Sequence, residues 1–336
     1  MLLAGDIGGT KTLLGLFESA PPSDAARGDR ASASPPRLRS IVVHECGTRD
    51  FADLPAMIAA FLRLEAIGGR RPDRACFGLA GPVAGDVADL TNVPWRVDAR
   101  EIARAFDLPR VALLNDLQAM AAAVPVLEPD DLQVLQAGRP VDGGTIALIA
   151  AGTGLGEALL HRADGRYVAS PSEGGHADFA ARGEREFQLV RALTAAHGRA
   201  SVEDVLSGRG FVNLHKVAHQ APCEAAIDLG APGAPAAISA AGLARRCAGC
   251  AGALEMFVEA YGAEAGNLAL RAVATGGVYV GGGIAPKIRT ALASGPFIRA
   301  FNAKPPMEAL LRAMPVSVIL NAHAGLLGAA VRAAEL

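Results

Sequence analysis

Twice along this 336-residue chain an apolar run meets a Gly/Thr-rich turn and resumes as a second apolar run. In the first copy Leu2 to Gly5 and Thr12 to Phe17 flank Asp6-Ile7-Gly8-Gly9-Thr10-Lys11. In the second, Ile146 to Ala151 and Glu157 to His161 flank Gly152-Thr153-Gly154-Leu155-Gly156, and the chain turns again at Asp164-Gly165. Glycines end each run, so each copy reads as a hairpin and not as a strand feeding a helix. The repeat points to a duplicated architecture with one phosphate-gripping hairpin per lobe. Length agrees, since 336 residues suit two domains of roughly 150 residues each. Between the copies, Ile41 to Cys46 reads as a strand, Phe51 to Leu64 has helical spacing and Arg74 to Leu79 reads as another strand. Alternating strands and helices indicate an α/β domain.

Charge narrows the partners. Lys plus Arg (32) nearly balances Asp plus Glu (34), which leaves no electrostatic footprint for nucleic acid or an anionic membrane. The apolar start Met1-Leu2-Leu3-Ala4 reaches Asp6 at once, and runs such as Ile146 to Ala151 fall far below the roughly 18 residues of a membrane span. A cytoplasmic protein that binds small molecules is the expectation. Five cysteines at irregular spacing agree with reduced thiols. Cys247 and Cys250 have CxxC spacing within the Ala-rich segment Ala240 to Glu259, which reads as helix. With no second CxxC and no neighbouring His to complete four ligands, they read as ordinary helix cysteines. Ser19 to Arg39, rich in Pro, Ser, Ala and Arg, reads as a flexible surface connection.

The chemistry-bearing residues fall in short motifs. In Gly5-Asp6-Ile7-Gly8-Gly9-Thr10-Lys11 the paired glycines admit an anion to the backbone, Thr10 and Lys11 add a donor and a charge, and Asp6 can orient Mg²⁺ through water. A plain tight hairpin is the alternative. Gly152-Thr153-Gly154-Leu155-Gly156 resumes as a strand, which rules out the dinucleotide fingerprint, and no P-loop sequence occurs. Strand Val278 to Val280 runs into Gly281-Gly282-Gly283-Ile284-Ala285-Pro286, a floor suited to a base or ribose. Gly325 opens the last helix, where a small residue allows close packing or ligand approach. Asn115-Asp116 ends the strand Val111 to Leu114, the edge at which α/β sheets bind ligands, although both residue types also cap helices. Glu173 and His176 share the loop Ser172-Glu173-Gly174-Gly175-His176, and Glu203 sits in a Ser201-x-x-Asp204 capping-box pattern that would put it in the first turn of a helix.

In order and spacing these pieces resemble the bacterial glucokinases, the non-zinc family within the hexokinase/actin-like ATPase superfamily, over nearly the whole chain. Carrying the likeness are Gly5 to Thr10, Thr91-Asn92 with Trp95, Asn115-Asp116, Gly152 to Gly156, Glu173 to Phe179, Val205-Leu206-Ser207-Gly208 and Gly281 to Pro286. The resemblance implies a two-lobed actin-like ATPase (ribonuclease H-like, duplicated) fold, with a cleft between a small α/β domain (1–126 plus 315–336) and a larger α+β domain (127–314). It implies transfer of phosphate from ATP to D-glucose, the first step of glycolysis. Asn92, Asn115, Asp116, Glu173, His176 and Glu203 would hold glucose, with Asp116 as the base. Gly5, Asp6, Ile7, Gly8, Gly9, Thr10, Lys11, Gly152, Thr153, Gly154, Gly282, Gly283 and Gly325 would face ATP, and Asp6 would act on Mg²⁺ indirectly. A homodimer without nucleic-acid or membrane partners is the expected assembly. Lys11 departs from the Asn often found there and is similar to a related repressor/kinase family, whose zinc is bound by a His like His176 and a downstream cysteine cluster. No cysteine lies between Cys76 and Cys223, so that site cannot be built and no zinc is expected. The rivals are another hexose or N-acetylhexosamine kinase, a sugar-responsive regulator and an actin-like filament or chaperone ATPase.

Overall fold

The structure, a computed structural model, describes residues 1–20, 37–219 and 221–336. In chain order the elements begin with β1 (Leu2–Ile7), β2 (Lys11–Ala20), β3 (Arg37–Gly47), α1 (Leu54–Leu62), β4 (Arg74–Leu79), β5 (Val83–Ala84), β6 (Val87–Asp89), β7 (Arg96–Asp98), α2 (Ala99–Phe106), β8 (Arg110–Asn115) and α3 (Asp116–Ala123). There follow β9 (Leu132–Gln136), β10 (Ile146–Ala151), β11 (Leu155–Ala163), β12 (Arg166–Ser172), α4 (Glu184–His197), α5 (Gly208–Ala218), α6 (Ala234–Leu243) and α7 (Ala248–Ala272). The chain ends with β13 (Gly277–Gly281), α8 (Arg289–Ala293), α9 (Pro296–Asn302), α10 (Glu308–Ala313), β14 (Val316–Ile319) and α11 (Ala324–Glu335). Contacts group the chain into two compact units. The first comprises Met1–Pro129, Leu160–Pro171 and Asn321–Leu336, and the second Asp130–Leu159 and Ser172–Leu320.

The first unit is built on a sheet of order β3-β2-β1-β4-β8. β1 is apolar on both faces because it is a central strand, antiparallel to β2 and parallel to β4. One face is covered by α11, whose Leu326, Ala329, Ala330 and Ala333 pack on Leu2, Ala4, Leu13, Phe17 and Cys76. The other carries a larger cluster that includes Met57, Ile58 and Phe61 of α1, Ile102 of α2, and Trp95. Full burial of each large side chain contributes about 1.5–3 kcal/mol. At Gly328 an added Cβ would lie 1.7 Å from the Ala119 carbonyl oxygen, so only glycine lets α11 cross α3 this closely.

In the second unit β10, β13 and β14 run parallel in one sheet, with β9 antiparallel to β14. The turn between β11 and β12, within the first unit's Leu160–Pro171 segment, is made by Asp164 and Gly165, both in the left-handed region with φ of 50° and 79°. The 25-residue α7 runs through the core, and an aromatic row crosses it. Phe211 stacks on Phe257 at 4.1 Å, and Tyr261 meets the edges of Phe257 and Phe297, each at 5.7 Å. Such pairs add about 0.5–1.5 kcal/mol beyond their burial.

Three local expectations are corrected. The Ser19 to Arg39 connection is strand at both ends, since β2 runs to Ala20 and β3 begins at Arg37; positions 21–36 lie outside the described residues. Glu18 and Arg39 pair across these strands, and the polar composition does not end them because β3 is the sheet's edge strand, where polar side chains face water. Ala240 to Glu259 is not one helix. α6 stops at Leu243, Arg245 turns at φ 51°, and Cys247 becomes the N-cap of α7. Ser201 and Asp204 do exchange the bonds of a capping box, but no helix follows; α5 begins at Gly208 with Ser207 as its cap. Glu203 therefore lies in a turn.

Candidate active site

In the first unit, the hairpin between β1 and β2 is pinned by Gly8 N–H donating to the Lys11 carbonyl at 3.1 Å and Thr48 Oγ1 donating to the Gly8 carbonyl at 2.7 Å. Gly9 presses on Asn92, where an added Cβ would come within 2.3 Å of the Asn92 Cβ. The two motifs are thus physically coupled. Gly5 and Ile7 belong to the core of β1, with Phe77 against Gly5 and Ile7 fully buried. Lys11 holds its ammonium on Glu45 of β3 at 2.5 Å.

Asp6 is next to last in β1, and an added Cβ on Gly325 would fall 2.6 Å from its Oδ2, so this glycine in the first turn of α11 makes room for the carboxylate. Burial first, then the Asp116 charge, push Asp6 up to about 6, with Lys11 opposing. A desolvated carboxylate held against a second one fits a group that brings positive charge, as water-mediated Mg²⁺ would.

Asn115 and Asp116 divide the two roles that the sequence left open. Asn115 is the N-cap of α3: its side chain accepts from Gln118 N–H at 2.6 Å, and its own N–H donates to the Gln118 side chain at 3.2 Å. Asp116 follows as the first helical residue, and its Oδ1 accepts from Leu117 N–H at 2.8 Å. It remains open to solvent, yet the surrounding protein raises its pKa by desolvation, against the hydrogen bonds of the Leu117 and Asp116 backbone.

In the second unit, Glu203 ties three pieces together. Its Oε2 accepts from Leu155 N–H at 2.9 Å at the end of the Gly152-Thr153-Gly154 turn, and its own N–H donates to the Gly175 carbonyl at 2.8 Å. An added Cβ on Gly154 would meet Glu203 Oε2 at 2.6 Å. Glu173 and His176 are exposed neighbours on one short turn, Oε2 to Nε2 at 3.8 Å. Thr153 is exposed, and nothing lies near a Cβ placed on Gly152 or Gly283. Gly282 is different: at φ 82° an added Cβ would meet the Ala151 carbonyl oxygen at 2.3 Å. Only glycine brings the ends of β10 and β13 this close.

Sequence reasoning missed two supports. Tyr261 is fully buried, and its hydroxyl accepts from Ala151 N–H at 3.1 Å with the Ile149 and Gly281 carbonyls each 3.3 Å away. It thereby straps the strand ends that lead into both glycine turns. Glu157, only 1% exposed, lies under the Glu173–His176 turn, where an added Cβ on Gly174 would come 2.1 Å from its Oε2. Desolvation and then Glu264 push it up to about 7, with Arg271 opposing. A Glu inside an alternating strand was the available signal. The reading of Cys247 and Cys250 as cysteines without a neighbouring His is also overturned, because His219 Nε2 stands 3.2 Å from Cys247 Sγ.

A family model described as Glucokinase matches residues 3–336. A glucokinase of Nostoc sp. is 40% identical over 359 aligned positions, covering 100% of this chain and 99% of the relative. Among solved structures, a glucokinase from an Antarctic psychrotroph superposes with a TM-score of 0.84 at 29% identity, covering 100% of this chain and 99% of that one. The glucokinase of Balamuthia mandrillaris, solved in complex with glucose, shares the fold with a TM-score of 0.73 at 21% identity, covering 99% and 94%.

Proposed function

The chain belongs to the glucokinase family, and on that premise we infer that it moves the γ-phosphoryl group of ATP onto the 6-hydroxyl of D-glucose. The observation that carries the reading is the pair at the end of β8, where Asn115 takes the cap and leaves the Asp116 carboxylate free for chemistry. Asn92, Asn115 and Asp116 of the first unit and Glu173, His176 and Glu203 of the second are the groups we assign to glucose. Amides and carboxylates suit vicinal hydroxyls, each offering paired hydrogen bonds that an epimer leaves unmade.

Phosphoryl transfer needs positioning and charge neutralisation more than covalent help. In the reaction a carboxylate oxygen of Asp116 accepts the 6-hydroxyl proton, the 6-oxygen bonds to the γ-phosphorus, and the bond to the bridging oxygen of ADP breaks. The backbone amides of Gly8 to Thr10 and of Gly152 to Gly154 are assigned to the phosphates, and the Gly282-Gly283 turn to the adenosine. Mg²⁺, bound with ATP and oriented by Asp6 through water, would neutralise phosphate charge. The raised pKa of Asp116 makes it a better proton acceptor than an ordinary aspartate.

ATP as the donor and five free cysteines suit the cytoplasm. We take the assembly to be a homodimer, which light scattering checks. A coupled assay of glucose 6-phosphate formation, run against mannose, fructose and N-acetylglucosamine, tests the function. Preference for any of these over glucose would overturn the substrate assignment.

A further inference from the structure

Away from every residue assigned to sugar or nucleotide, the second unit gathers His215, His219, Cys223, Cys247 and Cys250. His215 lies in the last turn of α5 and His219 is its C-cap; Cys247 is the N-cap of α7 and Cys250 lies in its first turn. Three of the chain's five cysteines thus meet at one point. Their sulfurs are separate thiols, with Cys223 Sγ 3.9 Å from Cys247 Sγ and 3.8 Å from Cys250 Sγ, far beyond a disulfide bond of about 2.05 Å. His219 Nε2 lies 3.2 Å from Cys247 Sγ and 4.0 Å from Cys250 Sγ.

Those distances fit four of the six edges of a tetrahedron. With Zn–S near 2.3 Å and Zn–N near 2.0–2.1 Å, tetrahedral geometry requires about 3.8 Å between sulfurs and about 3.5 Å between sulfur and nitrogen. Both sulfur–sulfur separations match, and the two nitrogen–sulfur separations bracket the required value.

The tautomer is set as well. His219 Nδ1 lies 2.9 Å from the His215 carbonyl oxygen, which can only accept, so Nδ1 carries the proton and Nε2 presents its lone pair to the sulfurs. His215 is buried with neither ring nitrogen hydrogen-bonded, its ring stacked on His219 at 3.6 Å. Its ligand atom lies within 4.8 Å of those of His219, Cys223 and Cys250.

We propose that His219, Cys223, Cys247 and Cys250 form a structural zinc site, with His215 packed behind it as a positioning residue. The ion closes the four-coordinate Cys₃His set typical of structural zinc and clamps the C-terminus of α5 to the N-terminus of α7. Binding releases the thiol protons, so retention weakens at low pH. His219 and Cys247 also line a surface cavity of about 1090 Å³, which supplies an entry path. The site is distinct from the zinc arrangement centred on a residue like His176, since it uses none of that turn. It reverses the expectation of a zinc-free protein, which failed to anticipate that α5 would bring a histidine to a CxxC some thirty residues later in the chain.

Elemental analysis of full-length protein purified in reducing buffer should find about one zinc per chain. A mercurial reagent added to the wild type, with a metallochromic indicator, should release it in step with thiol modification. Cys223→Ser and Cys250→Ser should each retain less than about a tenth of the zinc, while Cys46→Ser and His176→Ala keep it. Cobalt-substituted protein should show sulfur-to-metal charge transfer of tetrahedral type, lost in Cys247→Ser as in the other two thiol variants and unchanged in His215→Ala. Loss of the ion in His215→Ala, with retention of full charge transfer in Cys247→Ser, would overturn this ligand set. Metal-free wild type whose thiols all react freely, and whose melting is indifferent to added zinc, would overturn the site itself.

Discussion

Asp6, next to last in β1, pairs with Gly78 of β4, and a Cβ added to Gly78 would lie 4.0 Å from the Cα of Asp116, the first residue of α3, whose charge helps hold Asp6 up at about 6. Gly78 has no side chain because Ala119 of α3 occupies the space, 2.7 Å from where its Cβ would be. The carboxylates therefore face each other's field over a notch in the sheet, an arrangement that costs stability and gains from positive charge.

Asp6→Asn separates those consequences. A folded-state pKa raised from 3.8 to about 6 makes stability highest below the unfolded value and lost as pH rises through 6. Removing the charge should therefore raise the melting temperature by a few degrees at pH 8, on the order of 2 kcal/mol, and change little at pH 4. The same variant should need far more Mg²⁺ for half-maximal rate. A variant with unaltered Mg²⁺ dependence would remove Asp6 from the metal assignment.

A similar argument applies to Glu157, raised from 4.5 to about 7 by burial and then by Glu264, with Arg271 opposing at 3.7 Å. Arg271 also pairs with Glu264. Arg271→Ala leaves two buried carboxylates without their cation and should destabilise by about 3–5 kcal/mol near pH 8. The loss should shrink towards pH 5, where Glu157 is protonated. Glu157→Gln should instead stabilise above pH 7. Denaturant titrations at both pH values check the pair, and equal losses of Arg271→Ala stability at each pH would exclude the charge explanation.

Tyr261→Phe should cost about 1–3 kcal/mol, because the buried Ala151 N–H loses its acceptor. Since the hydroxyl straps the strands entering the Gly152-Thr153-Gly154 and Gly282-Gly283 turns, KM for ATP should rise several-fold while KM for glucose moves less. Kinetics showing the reverse order would place the strap elsewhere.

How much of this was legible in the chain differs by residue. β4 spans the Arg74 to Leu79 of the sequence reading, and the first hairpin is legible because glycines interrupt apolar runs. Gly9 and Asn92 are separately recognisable, but their contact is a product of tertiary packing over some eighty residues. Ser201-x-x-Asp204 forms its local bonds without a helix, since backbone bonds from Val202 and Glu203 to Ala177 and Gly175 claim the segment first. Tyr261 looks like any aromatic on an apolar helix, and only the strand ends above it reveal what its hydroxyl does. The Cys/His cluster escaped for a related reason, because its halves are separated by α6 and only the crossing of α5 and α7 joins them.

Asp116→Asn is the decisive substitution for the chemistry. Asn115 already supplies both bonds of the capping box, so residue 116 is not needed as a cap. Asparagine at 116 keeps the acceptor for Leu117 N–H and, because it removes a desolvated charge that repels Asp6, should not lower stability near pH 8. It cannot accept a proton. General-base contributions are typically about 10² to 10⁴ in rate, so kcat should fall by that order while the glucose dissociation constant changes much less. Asn115→Ala provides the contrast: it should lose about 1 kcal/mol of stability with the cap and weaken glucose binding, leaving the chemical step less affected. The base assignment is falsified if a folded Asp116→Asn enzyme keeps more than about a tenth of the wild-type kcat, because a residue that only positions glucose would be replaced by its amide at little cost.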